Sequence, residues 1–239
     1  RIRIGGAFGE KLLHLRCNYT TGDAAGQNMT SRATFAACEW IVKQHPPLSH
    51  YLLSGSFDTE KRTSSVNLLK GRGKRVTAEI TIPRQVMIDN LRITPPQMHY
   101  GQGISTLAAL LTNSSNNAAH PANGLAALYL ATGQDIANIG ESNQCTTYNK
   151  VTREGDYYFS ITMPALIMAT HGGGTALPTQ RECLEIMDCF GKGKAHKLAE
   201  IAAGLVLAGE LSLGAATRVD KETRKNEWVD AHERLGRNR

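Results

Sequence analysis

Aromatic residues make up only 6% of this 239-residue chain, and its basic stretches at 61–75 and 218–239 carry little aromatic character between their cations. A single-stranded nucleic-acid surface stacks bases on rings set among cations, so that class of partner is disfavoured. No apolar run is long enough to cross a bilayer: the longest, residues 201–213, is interrupted by Glu210, and a span needs about 20 apolar residues. The opening residues do not read as a signal peptide either, because they alternate apolar with polar instead of running charged, apolar, then small. Arg1 stands where an initiator methionine would, which gives the expectation of a fragment. Cysteine is sparse: Cys17, Cys38, Cys145, Cys183 and Cys189 are odd in number and form no CxxC pair. A disulfide scaffold and a thiolate metal site are therefore excluded, no metal is expected, and the thiols read as reduced and intracellular. The Asn-X-Ser/Thr matches at Asn18, Asn28 and Asn113 are then accidental. There is no internal repeat, which rules out a solenoid.

What is present is a chain with 41% hydrophobic and 20% charged residues, enough to bury the core of one domain or two. The net charge of +6 and pI near 9.1 suit a polyanion or a phosphate-bearing cofactor. With nucleic acid disfavoured, a phosphorylated small molecule is the better partner.

Periodicity predicts a strand in 11–20, a Gly/Asp/Asn-rich turn over 20–28 and a helix over 29–45, stopped by the HPP at 45–47. A short strand over 51–54 leads into a polar loop, 55–67, whose length points to function. Further strands are expected at 75–82 and 157–163, and helices at 85–91, 123–137, 181–190 and 195–217, with a break at Thr94-Pro95-Pro96.

Three places carry candidate chemistry. The turn TGDAAGQNM (21–29) opens a helix, whose free N–H groups favour an anion; Asp23 and Asn28 read equally well as plain cap or turn residues. Gly172-Gly173-Gly174-Thr175 lets backbone approach a pyrophosphate closely, although it fits neither the P-loop nor GxGxxG and also reads as a tight turn. In SGSFDTEKR (54–62), adjacent cations beside carboxylates suit an anionic substrate and a polarised carbonyl, or simply a solvated charged loop. Asp135 reads as a helix-end residue or as a carboxylate that tunes a lysine, and His232 as an ordinary surface histidine on a charged helix.

In order along the chain, TGDAAGQNM (21–29), SGSFDTEKR (54–62), GRGK (71–74), ANGLAALYLATGQD (122–135), HGGGTALPTQ (171–180) and LAGELSL (207–213) resemble the 3-hydroxy-3-methylglutaryl-CoA (HMG-CoA) reductase family. The resemblance implies an α+β fold, in which a ferredoxin-like small cofactor-binding domain is inserted in a mostly helical large domain with a long central helix. Residues 1–52 would be the second half of the small domain, 53–64 the loop closing over substrate, and 65–239 the C-terminal half of the large domain. It implies reduction of HMG-CoA to mevalonate and free CoA with two NADPH, NADH being the alternative donor. It also implies active sites shared in a homodimer or higher oligomer, and a cytoplasmic location or the cytosolic face of a membrane.

By the same resemblance Lys61 is the catalytic lysine, Asp135 the carboxylate that holds it, and His232 the histidine that protonates departing CoA. Ser54, Glu60, Arg62 and Asn123 would face substrate, and Asp23, Asn28, Gly172, Gly173, Gly174 and Thr175 the cofactor. The chain departs from the family pattern in four ways. No segment corresponds to the upstream Glu-bearing motif, no lysine stands near 102–105, Glu60 and Arg62 replace Asp and Lys, and the stretch 213–232 is longer. Two further readings therefore stand beside the first: a paralogue reducing another acyl thioester, and a truncated, non-catalytic binder of nucleotide or CoA.

Overall fold

A computed structural model of the chain describes residues 2–7, 13–48, 50–218 and 229. Strands β1 (Ile2–Ala7) and β2 (Leu13–Cys17) pair antiparallel, and helix α1 (Gln27–Gln44) follows after Gly26 takes a left-handed φ of 82°. After the polar loop, α2 (Ser65–Lys70) begins where the Ser64 hydroxyl accepts the Val66 N–H at 3.1 Å, a side-chain cap that ends the loop three residues early. The five cysteines are free thiols.

The core is built on a three-stranded antiparallel sheet of β3 (Lys74–Ile82), β4 (Thr146–Val151) and β5 (Tyr157–Leu166), with β5 in the middle. β5 alternates as expected: Tyr157, Phe159, Ile161 and Met163 are buried on one face, the period-2 pattern of a strand packed on one side. β4 is an element the periodicity reading does not contain, because TTYNKV has only Tyr148 and Val151 as large apolar residues and neither face is fully buried. The strand expected over 51–54 does not form. Leu52 is 84% exposed and no ladder partner runs beside it among the described residues.

Helix α3 (Arg84–Val86) runs on into a π turn, Met87–Leu91, which together fill the expected helix at 85–91. The Pro95-Pro96 pair starts a helix instead of marking a gap: in α4 (Pro95–Leu111), both prolines occupy first-turn positions that need no N–H donor. The Gln97 side chain accepts the Thr94 N–H at 3.0 Å and closes the capping box.

Helix α5 (Pro121–Thr132) stops short of the expected Ala137, because Gly133 adopts φ 68° and turns the chain out of the helix. Short α6 (Ile139–Ser142), α7 (Pro178–Ile186) and the long α8 (Ala195–Ala216) complete the order. α8 packs on β3 and β5 and against α5. Ala195, Ala199, Ala202, Ala203 and Val206 are buried along it and keep the approach close. Helix α8 is long and apolar enough to cross a membrane by length and composition alone. Half of its apolar stretch is buried inside the fold, where it serves as the core helix, so it does not conflict with the expectation of no membrane segment in this chain.

Glu210, buried on α8, ties it to α5: its carboxylate accepts the Ala119 N–H at 2.9 and 3.1 Å and also the His120 N–H. A negative charge at a helix start satisfies donors that have no partner within the helix and opposes the positive end of its dipole. Glu210→Leu leaves two inward amides without acceptors, and the loss expected in urea denaturation is about 2–5 kcal/mol.

Candidate functional site

The loop at residues 54–62 holds three non-glycine residues at positive φ: Ser56 at 67°, Thr59 at 61° and Lys61 at 61°. The left-handed region costs an L-residue about 1–2 kcal/mol, so such a loop persists only where its surroundings dictate it. Here they do. The Thr59 hydroxyl donates to buried Asn67 Oδ1 at 2.7 Å, and the Glu60 N–H donates to Asp58 Oδ1 at 3.0 Å. Further along, the Thr63 hydroxyl donates to the Gly140 carbonyl at 2.8 Å, and Gln144 Nε2 to the Ser64 carbonyl at 3.0 Å. Lys61 meets the same segment, its N–H reaching Glu141 Oε1 at 3.1 Å.

The loop aims Lys61 Nζ at Asp135 Oδ2, 2.8 Å away. Asp135 stands just past the Gly133 turn and accepts the Ala137 N–H at 3.1 Å, starting a 3₁₀ turn, Ile136–Asn138. The hydrogen bond that Lys61 donates to Asp135 holds its ammonium pKa above the ordinary range, helped by the charges of Asp135, Glu60 and Glu141. Partial burial pulls Asp135 upward, but the Lys61 and Ala137 bonds outweigh it and leave the carboxyl below its usual value. Both groups are therefore charged near neutrality. With side chains 42% and 32% exposed, the pair adds about 1 kcal/mol of stability at most. Its worth lies in presenting a fixed ammonium to whatever binds alongside.

Gln27, at the start of α1, joins the small N-terminal elements to this point: its Nε2 donates to Glu60 Oε1 at 2.8 Å and to Asn138 Oδ1 at 3.0 Å. Arg72 lies 4.0 Å from Glu60 Oε2 and forms an ion pair with buried Glu141.

The glycine turn meets the chain at Gly133, two residues before Asp135. A Cβ on Gly133 would sit 2.3 Å from the Gly174 carbonyl oxygen, and one on Gly174 2.8 Å from that of Gly133, so the two backbones touch where only glycine fits. Gly172 and Gly173 take φ of 84° and 57°, are exposed, and have open space where a Cβ would be. Thr175 is buried and closes the turn, its hydroxyl donating to the Gly172 carbonyl at 2.7 Å.

Asp23 holds the chain just before this turn, at Thr170, and the start of α8. Its carbonyl accepts the Thr170 N–H at 2.9 Å, and its carboxylate accepts the N–H groups of Gly193 at 2.8 Å and Ala195 at 3.1 Å. Those two amides hold it below the ordinary carboxylate range. Asp23 is thus a cap, as one local reading had it, but for distant α8 and not for the adjacent α1. Nearby Lys74 donates to the Met168 carbonyl at 2.9 Å, and burial lowers its ammonium pKa.

The structure pairs Lys61 with Asp135, with Glu60 beside Lys61 on the same loop, and sets Gly174 against Gly133, two residues before Asp135, while Asp23 contacts Thr170, two residues before Gly172. Ser54 and Arg62 lie exposed on the same loop, Ser54 donating to Asp58 Oδ2 at 2.6 Å. Asn28 is exposed beside Gln27. Asn123 is exposed near the other end of α5, roughly 14 Å along the helix axis from Thr132 at 1.5 Å per residue. His232 lies outside the described residues. Glu141, Arg72, Gln27 and Gly140 are absent from the sequence-derived site. The one signal for Glu141 is a carboxylate in the otherwise uncharged run IANIGESNQ.

A paired lysine on a strained loop, set against an open glycine turn on an α+β frame, defines a class of protein equipped to hold an anionic ligand and to polarise a carbonyl beside it. The model of the hydroxymethylglutaryl-coenzyme A reductase family matches residues 2–237, and the chain belongs to that family. It is 42% identical over 233 residues to the 3-hydroxy-3-methylglutaryl-coenzyme A reductase of Pyrococcus abyssi, covering 94% of this chain and 55% of that protein. It is 41% identical over 238 residues to that of Methanothermobacter thermautotrophicus (99% and 57%), and 40% over 235 residues to that of Aeropyrum pernix (95% and 54%). The chain spans about half the length of these curated relatives.

Asp23 makes its two amide contacts fully only as a carboxylate. A depressed carboxyl pKa adds stability that is complete above the unfolded value, near 3.8, and is lost as pH falls through the lower folded value. The stability difference between wild type and Asp23→Asn, followed by urea melts at stepped pH, is expected to hold constant above about pH 5 and to close below 3.8.

Proposed function

We propose that this chain supplies the lysine, aspartate and histidine of an enzyme that reduces HMG-CoA to mevalonate and free CoA with NADPH, with NADH as the alternative donor. The observation that carries the reading is the 2.8 Å contact of Lys61 Nζ with Asp135, on a loop held against its conformational preference. Family membership and the names of the relatives support it.

The nicotinamide, when bound, supplies hydride to a carbonyl carbon. Negative charge then builds on the carbonyl oxygen, and the Lys61 ammonium stabilises it there. Asp135 keeps that ammonium protonated and aimed. His232 gives a proton to the sulfur of departing CoA, a task for a group that titrates near neutrality. Ser54, Glu60, Arg62 and Asn123 face the substrate, with the Arg62 guanidinium matched to a carboxylate. Asn28 and Gly172 to Thr175 bind the cofactor. The open, Cβ-free side of Gly172 and Gly173 fits a diphosphate, and Asp23, which accepts the Thr170 N–H just before that turn, faces the cofactor with them.

In this reading residues 1–52 are the second half of a ferredoxin-like cofactor domain, 53–64 close over substrate, and 65–239 complete the large domain. Two subunits share each site, in the cytoplasm or on the cytosolic face of a membrane. One observation favours a second reading, a paralogue acting on another acyl thioester. Near the position where the family resemblance calls for a substrate lysine stands Gln102, buried and donating to Thr147 Oγ1 at 2.9 Å.

NADPH oxidation by the expressed protein, with HMG-CoA and then with other acyl-CoA thioesters, separates the two readings. Turnover with other thioesters but none with HMG-CoA sinks the first. Lys61→Ala is expected to lower kcat by about a thousandfold, the scale of losing one oxyanion donor, with little change in cofactor affinity; unchanged turnover rejects its role. For His232→Gln, CoA release measured with a thiol reagent should fall by about 10²–10⁴-fold while cofactor binding holds.

A further inference from the structure

We propose that Glu141 is a positioning residue for Lys61: its buried carboxylate, backed by Arg72, fixes the Lys61 backbone amide and so aims the ammonium at Asp135. The inference rests on the role proposed above for Lys61. Glu141 is on α6, and its side chain is fully buried. Oε1 accepts the Lys61 N–H at 3.1 Å and pairs with Arg72, while Oε2 has no hydrogen-bond partner among the described residues. Burial drives its carboxyl pKa upward in spite of Arg72, so this is a costly group to keep inside.

Stability alone does not account for that cost, since well-packed apolar residues commonly replace a buried ion pair without loss. An apolar side chain cannot accept the Lys61 N–H, however, and Lys61 sits at φ 61°, where a non-glycine residue needs outside support. Gly140 supplies the other half of the grip. A Cβ there would lie 2.4 Å from the Lys61 carbonyl oxygen, so Gly140 and Glu141 clamp Lys61 from its carbonyl and amide sides.

The test uses the expressed protein, reductively methylated with ¹³C-formaldehyde, with Lys61→Arg identifying the Lys61 signal by its loss. The Lys61 ¹³C-methyl titration is followed by NMR beside kcat and the KM for NADPH. Glu141→Gln retains an acceptor and should keep the raised Lys61 titration. Glu141→Ala and Gly140→Ala should return it toward 10.5. Since displacement of a reacting group by about 1 Å can cost a hundredfold in rate, both should also lower kcat at least tenfold, with NADPH KM within about twofold and Glu141→Gln within about threefold of wild type.

Should Glu141→Ala fail to fold, Arg72→Met with Glu141→Leu replaces the pair by apolar residues and carries the same expected loss. A wild-type Lys61 titration in Glu141→Ala and Gly140→Ala overturns the proposal, as does a Glu141→Gln that behaves like Glu141→Ala. Absence of NADPH oxidation by wild type overturns the functional reading instead, and the titration still judges the clamp.

Discussion

Two carboxylates placed at helix starts hold the main body of this chain together. Glu210, on the core helix α8, accepts the two amides just before α5; Asp23, from the N-terminal elements, accepts the amides of Gly193 and Ala195 where α8 begins. Each replaces water at donors that the helix itself cannot satisfy. The result is a chain of dependence from Asp23 through α8 to α5, and α5 ends at the turn that delivers Asp135. The lysine partner is thus placed by contacts that begin far from it in sequence.

The lysine itself is placed by a different device. A loop with three strained residues is held in one shape by Asn67, Gln144 and the Gly140-Glu141 step, with little apolar burial of its own. Polar contacts of that kind are directional, so they fix where a side chain points as well as where its backbone lies. The exposure of Lys61 and Asp135 follows: the support is underneath, and the charged tips are left open to a ligand.

How much of this was readable in the sequence depended on distance along the chain. β5 and the helix starting at Ala195 declare themselves through local periodicity, and the polar loop and glycine turn through composition. Lys61 and Asp135 were identified by the motifs around them, but their pairing is tertiary. Asp23 was recognisable as a cap, while its helix begins about 170 residues later and no local rule links the two. Glu141 showed only as a lone carboxylate in an uncharged run, because its partners Lys61 and Arg72 are 80 and 69 residues away. The double proline at 95–96 misled for a simpler reason: proline breaks a helix in the middle and starts one at the first turn, and the sequence alone did not say which.

The contact between Gly133 and Gly174 has a mechanical consequence. Two turns that meet backbone to backbone have no rotamer between them to absorb a displacement. Pressure on the open side of the glycine turn is therefore passed straight to the turn that carries Asp135, as through a solid coupling and not a spring. The two halves of the site share a single mechanical datum, and a substitution that shifts one of them resets the alignment of the other.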